Sequence, residues 1–209
     1  MKFDKMGIGT FCTLLGSESP VPGGGAAVAL QGATAASLAM MVCNLTIGKK
    51  KYQEDEELNK RSKERCQSLL EEFLLLMDED AEAFNIVGRA YRLPKNTEEE
   101  QRIRREEIQR GIEAAVVPPM KMMETACELL GIINRLLGRS NTNVITDLGV
   151  AVLQLRGVLE SGWLNVLINL KGMKNKKLAD EYHAQGQKIL CEAIELSDDI
   201  HNKIIELLS

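Results

Sequence analysis

Aromatic side chains make up only 4% of this 209-residue chain, which argues against a platform for stacking nucleobases. Two histidines, His183 and His201, both lie near the C-terminus, and neither CxxC nor HExxH occurs, so no metal site is expected. There is no long basic tract and the net charge is −4, which argues against a nucleic-acid partner. The five cysteines are odd in number and far apart, as in a reducing, cytoplasmic setting and not a disulfide framework. Prolines number five and cluster at joints, and few β-branched runs alternate, so strands are not expected. The first sixteen residues carry Lys2, Asp4 and Lys5 and lack the apolar core of a signal peptide.

What remains is helical patterning. The expectation is a single all-α domain over 1–209, a helical bundle of about six helices with a long buried central helix. A first helix covers about 3–16, and the Pro- and Gly-rich joint 17–25 leads into the central helix, which runs to about Ile47. The next helix runs through Tyr91 and is broken by Arg92-Leu93-Pro94-Lys95-Asn96. Thr97 and Glu100 form a capping box that starts another, and Pro118 with Pro119 kinks or splits it. Two more cover about 141–170 and 176–208. Val21 to Gly48 has no charged residue and resembles a membrane span in length. Gln31, Thr34, Ser37, Asn44 and Thr46 interrupt it, so a buried helix is expected and no membrane partner.

Asp80 occupies a position that the helical period reserves for an apolar residue. At about 100° per residue, Phe73, Leu76, Met77, Phe84, Val87 and Tyr91 share one stripe, and Asp80 lies in its middle. Asp78, Glu79 and Glu82 point elsewhere, toward water. Burial raises a carboxyl pKa and so tunes it for proton transfer near neutrality. The alternative is a structural aspartate, hydrogen-bonded within the bundle.

The 141–170 helix is apolar nearly all round, so most of its circumference should be covered. Asp147, Gln154, Asn165 and Asn169 form a polar seam on it, fit either for lining a pocket or interface or for helix–helix hydrogen bonds. Asp147 and Asn165 are about 27 Å apart on a straight helix and cannot share one small site within one subunit, whereas Asn165 and Asn169 can. Gly23-Gly24-Gly25 opens the central helix and offers unpaired amides to an anion, or else lets two helices touch. Lys49, Lys50, Lys51, Arg92 and Lys95 are surface charges by default and cations for a carboxylate-bearing ligand otherwise.

Taken in order, these motifs resemble the cyclodeaminase/cyclohydrolase family over almost the whole chain. They are Pro22-Gly23-Gly24-Gly25-Ala26-Ala27, Ile47-Gly48-Lys49-Lys50-Lys51-Tyr52, Asp78-Glu79-Asp80-Ala81-Glu82-Ala83-Phe84, Arg92 to Asn96, Thr146-Asp147-Leu148 and Asn165-Val166-Leu167-Ile168-Asn169-Leu170. The resemblance implies an all-α bundle that assembles as a homodimer and acts on a tetrahydrofolate derivative without a cofactor. It assigns proton transfer to Asp80. It implies substrate contacts from Gly23, Gly24, Gly25, Lys49, Lys50, Lys95, Asn96, Asp147, Asn165 and Asn169. The first expectation is a cyclodeaminase, which closes 5-formiminotetrahydrofolate to 5,10-methenyltetrahydrofolate with loss of ammonia. The second is a cyclohydrolase, which opens the methenyl compound to 10-formyltetrahydrofolate. The third is a non-catalytic folate-binding or assembly module. Ala26 stands where the family often has serine, Thr146 replaces a serine, and lysines at 49–51 replace arginines of some members.

Overall fold

The computed structural model describes residues 2–209. Its seven α-helices are α1 (Ile8–Leu15), α2 (Gly24–Asn44), α3 (Glu56–Tyr91), α4 (Glu98–Ala115), α5 (Val117–Leu136), α6 (Ile145–Gly172) and α7 (Lys176–Leu208), with one short 3-10 turn ahead of α1 and two more between later helices. Six of the seven are 18 residues or longer, in line with the sequence reading. The expected first helix is shorter than its pattern: residues Phe3–Lys5 form a separate 3-10 turn before α1. The central helix stops at Asn44, three residues early, because the chain must turn through Gly48 at φ 80° to reach α3.

Helix α2 is the hub and packs most extensively against α3 and α6. Alanine and glycine make this possible: Ala29, Ala35, Ala36 and Ala39 are fully buried. A β-carbon on Gly32 would overlap the ring of Phe73, so α3 seats its largest core side chain in a notch of α2. By length and composition α2 passes as a membrane-spanning helix, but eleven of its residues are buried against protein.

The joints follow local chemistry. Thr97 Oγ1 accepts from Glu100 N at 3.1 Å and the Glu100 carboxylate accepts from Thr97 N at 3.1 Å, the reciprocal box foreseen in the sequence. Pro118 and Pro119 sit in the first turn of α5, where a missing N–H costs least, and so separate α4 from α5. Helix α2 runs antiparallel to α6. Gly24 lies by Asn165, Gln31 by Gly157 and Thr34 by Gln154, while Leu45 accepts a hydrogen bond from Asn141.

Two expectations change. The α3 stripe is buried only as far as Met77; Phe84 and Tyr91 are about half exposed, on the stretch of α3 where Val87 packs against Gly111 of α4. Helix α6 is not covered all round either: Val150, Leu153, Leu164 and Ile168 are exposed along one side.

Candidate active site

Asp80 stands at the point where α3 leaves the core, half-buried beneath the first turn of α2. Gly25 makes room for it: a β-carbon there would overlap the carboxyl group itself. Among the described residues no cation or hydrogen-bond donor offsets the loss of water, so burial alone raises the Asp80 carboxyl from 3.8 to about 6. The group is therefore mostly ionised at neutral pH yet close to its titration point, the condition under which a carboxylate exchanges protons efficiently.

The carboxyl group opens into a cleft of about 330 Å³, a volume fit for part of a small organic ligand. One wall is the approach to α2, from Pro20 to Gly25. A second is α3, through Phe84 and Val87. The third is α6, through Asn165, Ile168 and Asn169, with Ala115 of α4 behind them. Gly23 caps α2 without any side-chain hydrogen bond, so the first amides of that helix remain donors for a ligand.

The two asparagines present acceptors. Asn165 Nδ2 donates to Ser161 O at 2.8 Å. Asn169 Nδ2 donates both hydrogens, to Asn165 O and to Ala115 O, each at 2.9 Å. Ala115 O is free to accept because its helical partner would be the nitrogen of Pro119, which carries no hydrogen. Both bonds are to carbonyls, so the amide orientation is fixed and Oδ1 is what Asn169 offers the cleft.

The structure brings Gly23, Gly24, Gly25, Asp80, Asn165 and Asn169 together. It does not bring the other sequence candidates to them. Lys49 and Lys50 lie beyond the far end of α2, about 30 Å from its start. Asp147 is at the far end of α6, as the helix length required. Lys95 and Asn96 are exposed in the α3–α4 loop, which Glu100 and Gln101 tie down by accepting from Asn96 N and donating to Lys95 O. Asp78 is not simply solvated: its Oδ1 accepts from Phe3 N at 2.9 Å and fastens the N-terminal turn to α3. Sequence reading passed over Phe84 and Ile168 as cleft residues; they stand half to two-thirds exposed at its mouth. Each is an apolar residue one turn from a polar site residue, a signal shared with any core position.

Comparison with known proteins gives the family. A family model described as formiminotransferase-cyclodeaminase matches residues 7–188. A methenyltetrahydrofolate cyclohydrolase of Methylorubrum extorquens is 40% identical over 94% of this chain and 95% of its own. The mouse formimidoyltransferase-cyclodeaminase is 33% identical over 88% of the chain, which spans only 34% of that longer protein. The crystal structure of a formiminotetrahydrofolate cyclodeaminase from Thermotoga maritima superposes with a TM-score of 0.83 at 27% identity, covering 98% of this chain and 96% of that one. The chain belongs to the formiminotransferase-cyclodeaminase family.

Proposed function

We propose that the protein is a methenyltetrahydrofolate cyclohydrolase in which Asp80 is the general base. The observation that carries this reading is the single carboxylate, held by burial at about 6, on the floor of a cleft with free helix-start amides and amide oxygens around it. The similarity over nearly the full length of both chains to the bacterial cyclohydrolase supports this reaction ahead of the deaminase favoured by sequence. The substrate carbon between N5 and N10 is cationic. Asp80 takes a proton from water as the oxygen bonds to that carbon, and the adduct then breaks its bond to N5, which receives a proton. The products are 10-formyltetrahydrofolate and one released proton. The Asp80 charge beside the cation lowers the cost of holding it in a dry cleft.

The second reading is the cyclodeaminase, supported by the likeness to the Thermotoga enzyme. There N10 attacks the carbon of the protonated formimino group, Asp80 accepts the N10 proton, and the amino group of the adduct takes that proton back from Asp80 and leaves as ammonia, giving the methenyl cation. Neither route calls for a metal or redox cofactor. A non-catalytic module gives no reason for a carboxylate kept uncompensated in a cleft.

An absorbance assay with both substrates decides. We expect the methenyl chromophore to disappear faster than in buffer, and Asp80→Asn to remove the acceleration. Growth of the chromophore from 5-formiminotetrahydrofolate establishes the second reading, and turnover of neither substrate ends both. The reading extends to a cytoplasmic homodimer, supported by the uncovered apolar side of α6, where Leu164 and Ile168 are each 66% exposed.

A further inference from the structure

The cleft is a slot with a direction. Gly25 meets Asp80 and Gly32 meets Phe73, while Gly24 lies by Asn165 and Gln31 by Gly157. Helix α2 is therefore antiparallel to both α3 and α6, and beyond its first residue those two helices run on in the same sense. Phe84 and Val87 of α3, Ile168 and Asn169 of α6 and Ala115 of α4 line the slot from there. Asp80 and Asn165 mark its inner end, at the start of α2. Asn169 stands one helical turn, about 6 Å, further along α6.

The chemistry of the lining is one-sided. Among the described residues that line the cleft there is no hydroxyl, lysine, arginine, histidine, tryptophan or glutamine. Asn169 Nδ2 commits both its hydrogens, to Asn165 O and Ala115 O, and Asn165 Nδ2 commits one, to Ser161 O. What the side chains offer is therefore acceptors: the Asp80 carboxylate, Asn165 Oδ1 and Asn169 Oδ1. Backbone donors stand at the inner end, in the first amides of α2. The remaining side chains, Pro20, Val21, Phe84, Val87, Ala115 and Ile168, are apolar.

Such a slot selects a flat ring system, cationic at one end and bearing N–H groups at the other. Of the two halves of a folate, the pterin has this character. The p-aminobenzoyl-glutamate half ends in carboxylates, which a wall of acceptors repels. The long axis of the pterin runs from the N5 end, where the reacting carbon is bonded, to the 2-amino group at the far end of the two fused rings, a span close to one helical turn. With the cation at Asp80, the ring carbonyl that neighbours N5 lies toward the α2 amides, and the 2-amino group reaches the level of Asn169.

We propose that the slot between α3 and α6 holds the pterin and that Asn169 Oδ1 accepts a hydrogen bond from its 2-amino group, making Asn169 the residue that selects a 2-aminopterin. The identity of the ring rests on the proposed folate reaction; the acceptor-rich lining does not.

The test removes the donor from the ligand and the acceptor from the protein in turn. The substrates are 5,10-methenyltetrahydrofolate and its 2-desamino-2-methyl counterpart, in which a methyl group stands for the amino group. Native protein should favour the first by about tenfold or more in kcat/KM, because the methyl group leaves Asn169 Oδ1 unpaired. Asn169→Leu should use the two about equally. A purely structural Asn169 would lower both values together and leave their ratio native. Equal use of the two substrates by native protein overturns the proposal with no variant needed, and a native ratio in Asn169→Leu overturns it as well. Asn169→Ala, which needs less room, gives the same comparison if Asn169→Leu does not fold. If the methenyl compound is not turned over, the proposed reaction has failed, and calorimetry decides the slot alone. Tetrahydrofolate should then bind native protein about tenfold or more tighter than its 2-desamino-2-methyl counterpart, and the variant should bind the two alike; a native Kd ratio in the variant, or no binding of tetrahydrofolate, overturns the assignment of Asn169.

Discussion

The Asp80 carboxyl group occupies the space that a β-carbon of residue 25 would fill, so Gly25 and Asp80 form one unit across α2 and α3. Gly25→Ala should therefore act like a catalytic substitution while leaving the catalytic residue in place. The carboxyl group must swing out of the cleft floor. We expect kcat to fall about tenfold or more with the fold intact, checked by steady-state kinetics beside circular dichroism. Native kcat in Gly25→Ala would show that the carboxyl position is not critical.

Asp80→Asn keeps the shape and removes the base. kcat should fall by about 10²-fold or more with little change in KM. In the native protein kcat/KM should decline as pH falls through about 6, where Asp80 takes up its proton. The kcat profile should titrate lower, because the bound cation favours the ionised form. A flat profile between pH 5 and 7 would remove Asp80 from the rate equation.

The same residue sets a stability effect of opposite sense. Its folded pKa lies above its unfolded value, so protonation favours the fold. The stability this confers is fully present below about pH 4 and is lost as pH rises through about 6. Asp80→Asn should thus be more stable than the native protein at pH 7, by up to about 3 kcal/mol. The difference should vanish near pH 4. Urea melts at the two pH values measure it, and a variant less stable at pH 7 would mean that the carboxylate has a stabilising partner.

Asp78→Asn should separate anchoring from chemistry. It weakens the bond to Phe3 N without touching the cleft. Activity should stay within about twofold, while the N-terminal turn becomes more open to limited proteolysis by about 1 kcal/mol. A loss as severe as that of Asp80→Asn would reassign the base.

The thiols should divide by burial. Cys43 and Cys66 are buried, which pushes their thiols up to about 11 and about 12, whereas Cys12 and Cys191 are exposed. A thiol-reactive dye should label the exposed pair rapidly in native protein and the buried pair only on unfolding. Rapid native labelling of Cys43 or Cys66 would show that the α2–α3 packing opens readily.

Much of this was legible from sequence where one local rule decides the outcome. The capping box at Thr97, the prolines opening α5 and the misplaced charge at Asp80 each depend on residues within a turn of one another. The covered and uncovered sides of α6 were not legible, because an apolar helix has the same composition whether its partner is another helix or another subunit. The separation of Lys49 and Lys50 from Gly23 follows from the length of the helix between them, but that Asp80 packs at the start of that helix and not at its end was hidden, because motif order does not say how α3 is laid against α2. The Asp78 tie to Phe3 joins positions 75 residues apart, beyond any periodic pattern.

Pro119 has a consequence that reaches past the joint it makes. By withholding a hydrogen, it leaves Ala115 O to Asn169, and that bond, with the one to Asn165 O, sets which end of the Asn169 amide faces the cleft. The polarity of one wall of the cleft is thus written in an imino acid that lines none of it. Replacing Pro119 with an ordinary residue would offer that carbonyl a backbone donor and leave the orientation of the Asn169 amide to its one bond with Asn165 O. Ligand discrimination in this fold is open to change from a site that no ligand touches.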